Sequence, residues 1–326
     1  MSLAPPPYST TTTTTTTTYT SSPFILDTLF DLLTVLLITS ILILSLLSLA
    51  FIFHLRFKIR SSPHLLNFNT LWSLRLLLVL SVILWSVSYL LRSSLFLQRL
   101  RIFNLSQGIF LCKLHVVLTL GLFEPVFLTT LLFLLNLSIK KRDPSRTFTN
   151  IAHIIIVCLP VLLFQIFVVF YAPTSPDILP DFFRRDHVIH RELTTGDESA
   201  VCAYPLLSTI IFAVFAFSFL LGFVLSCWRV ISVVINQRLR VRIYTLGTTT
   251  VAAVVSQVAF MALSVLWLPE KVAFGGAALM VFLAGLSCVV VGEGVLVIHP
   301  ISDALTAGGG EVCVLRLGEP VSPSSS

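Results

Sequence analysis

Seven runs of predominantly apolar residues, each long enough to cross hydrocarbon as a helix, set the limits on what this chain can fold into. A membrane-spanning α-helix needs about 20 such residues. The runs are Leu32–His54, Leu71–Leu91, Leu114–Ile139, Ile151–Tyr171, Leu206–Trp228, Ile243–Leu268 and Ala273–His299. They are apolar on all faces and do not alternate, which excludes barrel strands. Helices also satisfy their own backbone groups in lipid. The expected fold is therefore an all-α membrane protein, a seven-transmembrane helix bundle.

Composition agrees. Charged residues make up 11% of the chain and hydrophobic ones 56%. A soluble domain carries about 25% charge, and so little polar surface could not cover this much apolar surface in water. The bilayer is the implied partner. The net charge of +6 does not point to nucleic acid, because the basic residues sit in short clusters between apolar runs, as loops at an anionic leaflet do.

Lys and Arg also give an orientation. With the N-terminus outside and the C-terminus cytoplasmic, 13 of the 21 basic residues fall inside and 8 outside. The inner set includes Lys140, Lys141, Arg142, Arg238, Arg240 and Arg242, a basic surface suited to a cytoplasmic signalling partner. Residues 1–31 read as an outer, disordered Thr/Ser/Pro-rich tail, with an unbroken Thr10–Thr18 run. The first span reads as an uncleaved signal anchor. Residues 32–300 form the bundle, and 301–326 a short cytoplasmic tail. Asn104-Leu105-Ser106 is a glycosylation sequon in an outer loop.

Ionisable groups inside spans are expensive and mark functional positions. Glu124, followed by Pro125, falls near mid-bilayer in the third span. It reads either as a ligand- or proton-sensing acid in a central cavity or as a protonated acid bonded to a neighbouring helix. Pro125 removes a helix hydrogen bond and predicts a kink. Arg75 enters the second span and Glu293, between Gly292 and Gly294, the seventh, at similar depth from the inner side. An interhelical Arg75–Glu293 ion pair is one expectation; a snorkelling Arg75 is the other. His115 and His153 read as interfacial or packed polar residues near span ends. His187 and His190 lie in the long charged loop between the fourth and fifth spans. That loop reads as solvated, and no metal or other cofactor is expected.

On this topology Cys112 and Cys202 both face the exterior, where oxidation is permitted. The alternatives are a disulfide across the outer mouth of the bundle or two free, buried thiols. A disulfide from the start of the third helix to the loop before the fifth resembles the arrangement in G-protein-coupled receptors. The chain is similar to plant heptahelical proteins described as candidate receptors of that class. The likeness lies in Leu55-Arg56-Phe57-Lys58 with Asn69-Thr70-Leu71-Trp72-Ser73-Leu74-Arg75, and in Leu111-Cys112-Lys113-Leu114-His115 through Glu124-Pro125 to Lys140-Lys141-Arg142. Rhodopsin-like motifs are not kept. Ser138-Ile139-Lys140-Lys141-Arg142 stands at the acidic-Arg-aromatic triplet, and His299-Pro300-Ile301-Ser302-Asp303 at Asn-Pro-x-x-Tyr.

The resemblance implies a receptor-like or signalling protein, and the plasma membrane is expected ahead of an endomembrane as its location. Two other classes compete. A small-solute transporter of this size would show repeated three-helix halves, and no such repeat is evident. A membrane hydrolase would gather His and Asp around a metal, whereas the intramembrane His are scattered and no span carries an interior Asp. The chain is not expected to be an enzyme; a membrane scaffold belongs with the first class.

Overall fold

The computed structural model describes residues 22–59, 71–93, 105–139, 147–171, 187–191, 198–266, 272–300 and 302. Among them, seven helices are long and apolar enough to cross a membrane. The chain is a multi-pass membrane protein.

Helix α1 runs Ser22–Ile59 and α2 Trp72–Arg92. Helix α3 is α-helical over Leu105–Leu118, widens to a π turn at Thr119–Phe123 and resumes at Glu124–Ile139. Helix α4 spans Thr147–Ile166 with a π turn at Phe167–Tyr171, and continues through Pro160. Helices α5 and α6 run Leu206–Val233 and Gln237–Leu266. Helix α7 runs Val272–Glu293 and ends in a π turn, Gly294–Ile298.

The helices close a ring: α1 touches both α2 and α7, α6 packs on α5 and α7, and α4 sits between α3 and α5. Helix α3 also meets α2 and α5, and is the most enclosed. In its most apolar stretch 72% of residues are buried, against 28% in α1, α4 and α5. Those three turn Leu36, Ile43, Ile156, Leu163, Phe217 and Leu225 outward. An exposed apolar face of that size needs an apolar solvent.

Four boundaries differ from expectation. Helix α1 starts at Ser22, inside the stretch expected to be disordered, because Pro23 suits a first helical turn and Phe24, Ile25 and Leu26 continue the apolar run. The rest of the tail, residues 1–21, lies outside the described residues. Helix α3 starts at Leu105, nine residues early; Gln107, Lys113 and His115 dilute the hydropathy there without interrupting the helix. Helix α6 starts at Gln237, so Arg238, Arg240 and Arg242 belong to its first turns and not to a loop. Helix α5 extends to Val233.

The long loop is not wholly irregular. Strands β1 (His187–Arg191) and β2 (Glu198–Cys202) pair antiparallel, with His187 opposite Cys202 and Arg191 opposite Glu198. The hairpin lies against α3. It marks one end of the bundle, called here the hairpin face.

Candidate functional site

Glu124 sits 18 residues beyond Ser106 and 13 before Leu137 in the α3 span, roughly 27 and 20 Å from its ends. Pro125 cannot donate to the ladder, and its ring crowds the carbonyl four residues back. The helix accommodates this by widening. The Glu124 N–H donates to Thr119 O, five residues back, through the π turn. Such turns recur at functional sites. Here the turn falls directly before the acid.

The Glu124 side chain is buried and bridges three helices. Trp85 Nε1 on α2 donates to Oε1 at 3.2 Å, and Gln257 Nε2 on α6 donates to Oε2 at 2.8 Å. Both donors are neutral. Beside the carboxyl lies a cavity with about 20 Å³ open to the centre of a water-sized sphere. That is room for water, given that about one such sphere of 10–15 Å³ is needed. Ser81, Phe123, Phe127 and Cys288 line it with the Glu124, Trp85 and Gln257 side chains. Cys288 Sγ donates to Thr250 Oγ1 at 3.8 Å, joining α7 to α6 just below.

Trp85 is held by shape as well as by its hydrogen bond. Its indole stacks on Phe282 of α7, centroids 5.7 Å apart and planes 7° from parallel. Gly285 makes room: a Cβ there would lie 3.1 Å from the indole Cζ2. Tyr89, one turn along α2, packs against Trp85 at 4.7 Å and meets His115 edge-on at 4.9 Å. The Tyr89 and Tyr204 hydroxyls are 3.3 Å apart, and Arg92 Nη1 donates to Tyr204 at 2.7 Å.

His115, expected near a span end, is instead buried because α3 begins earlier. Its Nδ1 lies 2.8 Å from Ser88 Oγ, while Nε2 has no partner among the described residues.

Cys112 and Cys202 are joined in a disulfide, with Cα atoms 5.2 Å apart. It ties β2 to the second turn of α3. Cys158, Cys227 and Cys288 are free and buried.

The Arg75–Glu293 pair is not formed. Glu293 Oε2 accepts from Ser45 Oγ of α1 at 3.0 Å, and Oε1 is unpartnered among the described residues, as is Arg75 Nε. Similar depth does not bring the two residues together: the Glu293 carboxyl bonds α1, which packs against both α2 and α7. Gly292 does permit close approach, its missing Cβ lying 3.0 Å from Phe127 Cζ; Gly294 has no such neighbour within 4 Å.

Arg238 and Arg240 are exposed at the end opposite the hairpin, and Arg242 is half-buried. Asn104 and the Lys140-Lys141-Arg142 cluster lie outside the described residues.

Residues 18–311 match the model of a family described as Uncharacterised conserved protein UCP031277. The chain belongs to that family. The match takes in all seven helices, the hairpin and both disulfide cysteines. Nothing among the curated proteins or the solved structures matches it.

Sequence reasoning singled out Glu124 but neither donor. Trp85 and Gln257 look like ordinary span residues until the helices are packed. A Gln in an apolar run was the available signal, since buried amides must be bonded.

Proposed function

We propose that this chain is a receptor-like signalling protein of the plasma membrane, with its N-terminus and hairpin outside and its C-terminus in the cytoplasm. One observation carries the reading. An unbroken line of contacts joins the stapled hairpin to the core: Tyr204, two residues past Cys202, to Tyr89, then Trp85, then Glu124, then Gln257 on α6. Helix α6 then runs to the opposite end and bears Arg238, Arg240 and Arg242 in its first turns. A ligand that shifts Tyr204 thereby has mechanical access to the helix that would meet a cytoplasmic partner.

The disulfide supports the orientation, since such bonds persist in oxidising compartments. The basic inner loops and the likeness to plant heptahelical receptor candidates support the same reading. Lys140, Lys141 and Arg142 would extend the partner surface. Transport of a metabolite would need a larger opening than the cavity beside Glu124.

The test is a compound screen on purified full-length protein, read by thermal unfolding, alongside solute flux into vesicles. The expected result is a compound that raises the unfolding midpoint, loses its effect in Tyr204→Phe, and is not carried across the vesicle. Saturable flux of the stabilising compound would replace signalling with transport. Epitope tags at the two ends, probed on intact cells, should label only the N-terminal one; labelling of both ends would overturn the topology.

A further inference from the structure

A second buried acid lies away from the Glu124 site. On α1, Ser45 and Ser48 are three residues apart and so share a helix face. Both are buried. Opposite them Glu293 of α7 is fully buried, at 0% exposure. Ser45 Oγ donates to its Oε2 at 3.0 Å, and Ser48 lies on the same face of α1. Its Oε1 has no partner among the described residues.

The surroundings leave one oxygen of this carboxyl unanswered. The α7 backbone widens into its π turn at Gly294, the next residue. Arg75, the guanidinium at comparable depth, does not reach it. Buried acidic oxygens in such a setting are held by a partner ion or a water.

The donor set narrows the choice. A carboxylate and two hydroxyls are hard oxygen ligands, which suit hard cations. One carboxylate balances one positive charge, and no group of three or more His, Cys, Asp or Glu side chains gathers among the described residues. A divalent or transition ion would therefore be left undercompensated. Each serine can turn its proton to the carbonyl four residues back, as Thr34 does to Phe30 O at 2.8 Å. Its lone pairs then face the ion.

We infer that Glu293, Ser45 and Ser48 form a binding site for a monovalent alkali cation between α1 and α7. Occupancy clamps the first helix to the last and closes the ring. The site is independent of the signalling reading and stands whether or not that reading does.

The experiment follows thermal unfolding of the purified full-length protein at constant ionic strength, exchanging N-methylglucamine chloride for sodium or potassium chloride. Above the dissociation constant, each tenfold rise in the bound ion multiplies the folded-to-unfolded ratio about tenfold for one site. The response should vanish in Glu293→Gln, weaken in Ser45→Ala and persist in Glu124→Gln. A sodium-only, potassium-only or shared response each supports the site and identifies its ion. Sodium-23 line broadening on the wild-type protein, or its potassium counterpart, reads binding directly if Glu293→Gln does not fold. Equal midpoints in all three salts, or a cation response unchanged in both Glu293→Gln and Ser45→Ala, would overturn the inference.

Discussion

Gln165 of α4 and Ser208 of α5 clasp their helices together from both directions. The Gln165 amide donates to Ser208 O at 3.0 Å, and the Ser208 hydroxyl donates back to Gln165 Oε1. Both are fully buried. Interhelical hydrogen bonds in membranes average about 0.6 kcal/mol by double-mutant cycles and reach about 1.7. A reciprocal pair should sit near the upper end. Gln165→Leu and Ser208→Ala should each lower stability by about 1 kcal/mol, read by unfolding in mixed micelles. The double variant should cost less than the sum. Strict additivity would mean that the two side chains act separately.

The Glu124 bridge predicts an asymmetry. Removing Gln257 alone leaves one carboxyl oxygen buried without its donor, a penalty of about 1–3 kcal/mol. Removing both polar partners by apolar ones can be nearly neutral. Gln257→Leu should therefore be more destabilising than Glu124→Leu combined with Gln257→Leu in a background where Trp85 is replaced by Phe. Unfolding midpoints of the three proteins settle the order. If the triple variant is the least stable, the network acts through packing and not through polar satisfaction.

The spans were legible because hydropathy accumulates over a long window, and Glu124 stood out because one acid in an apolar run is conspicuous. What the sequence could not supply was helix rotation. Depth follows from counting residues, so Arg75 and Glu293 fell in one layer; which way each faces depends on packing by residues such as Ser45, more than 200 positions away. The same gap hid Trp85 and Gln257. The start of α3 was missed because Gln107, Lys113 and His115 lower local hydropathy while remaining compatible with helix. The hairpin was missed because neighbouring charges in the loop outweighed two short strand patterns, His187–Arg191 and Glu198–Cys202.

Gly285 should be intolerant of larger side chains for a reason visible in fluorescence. At 3.1 Å from Trp85 Cζ2, a new Cβ forces the indole to move by a few tenths of an ångström. Gly285→Ala should be mild and Gly285→Leu severe, in the range of about 1–3 kcal/mol seen for overpacked cores. With Trp72, Trp228 and Trp267 replaced by Phe, Trp85 is the sole indole. Its emission should shift in Gly285→Leu as the bond to Glu124 breaks. An unchanged spectrum would show that α7 yields instead of the ring.

Reduction of the Cys112–Cys202 bond should loosen the hairpin before it unfolds the bundle. The bond closes a sequence separation of 90 residues, for which chain-entropy arguments give at most about 4–5 kcal/mol. The denatured chain in a micelle or bilayer retains inserted helices, so less freedom is gained on cutting the link. A loss nearer about 2 kcal/mol, the low end of the usual range, is expected. Cys112→Ser, Cys202→Ser and the double variant should lose the same amount, and reductant should affect only the wild-type protein. Amide exchange should speed up first at β1 and β2, where Cys202 pairs with His187, and only later in α3. If the two single variants differ from each other, one cysteine has a role besides the bond. If reductant leaves the hairpin amides unchanged, its contacts with α3 hold it without the disulfide, and the line from Tyr204 to Glu124 would not depend on the staple.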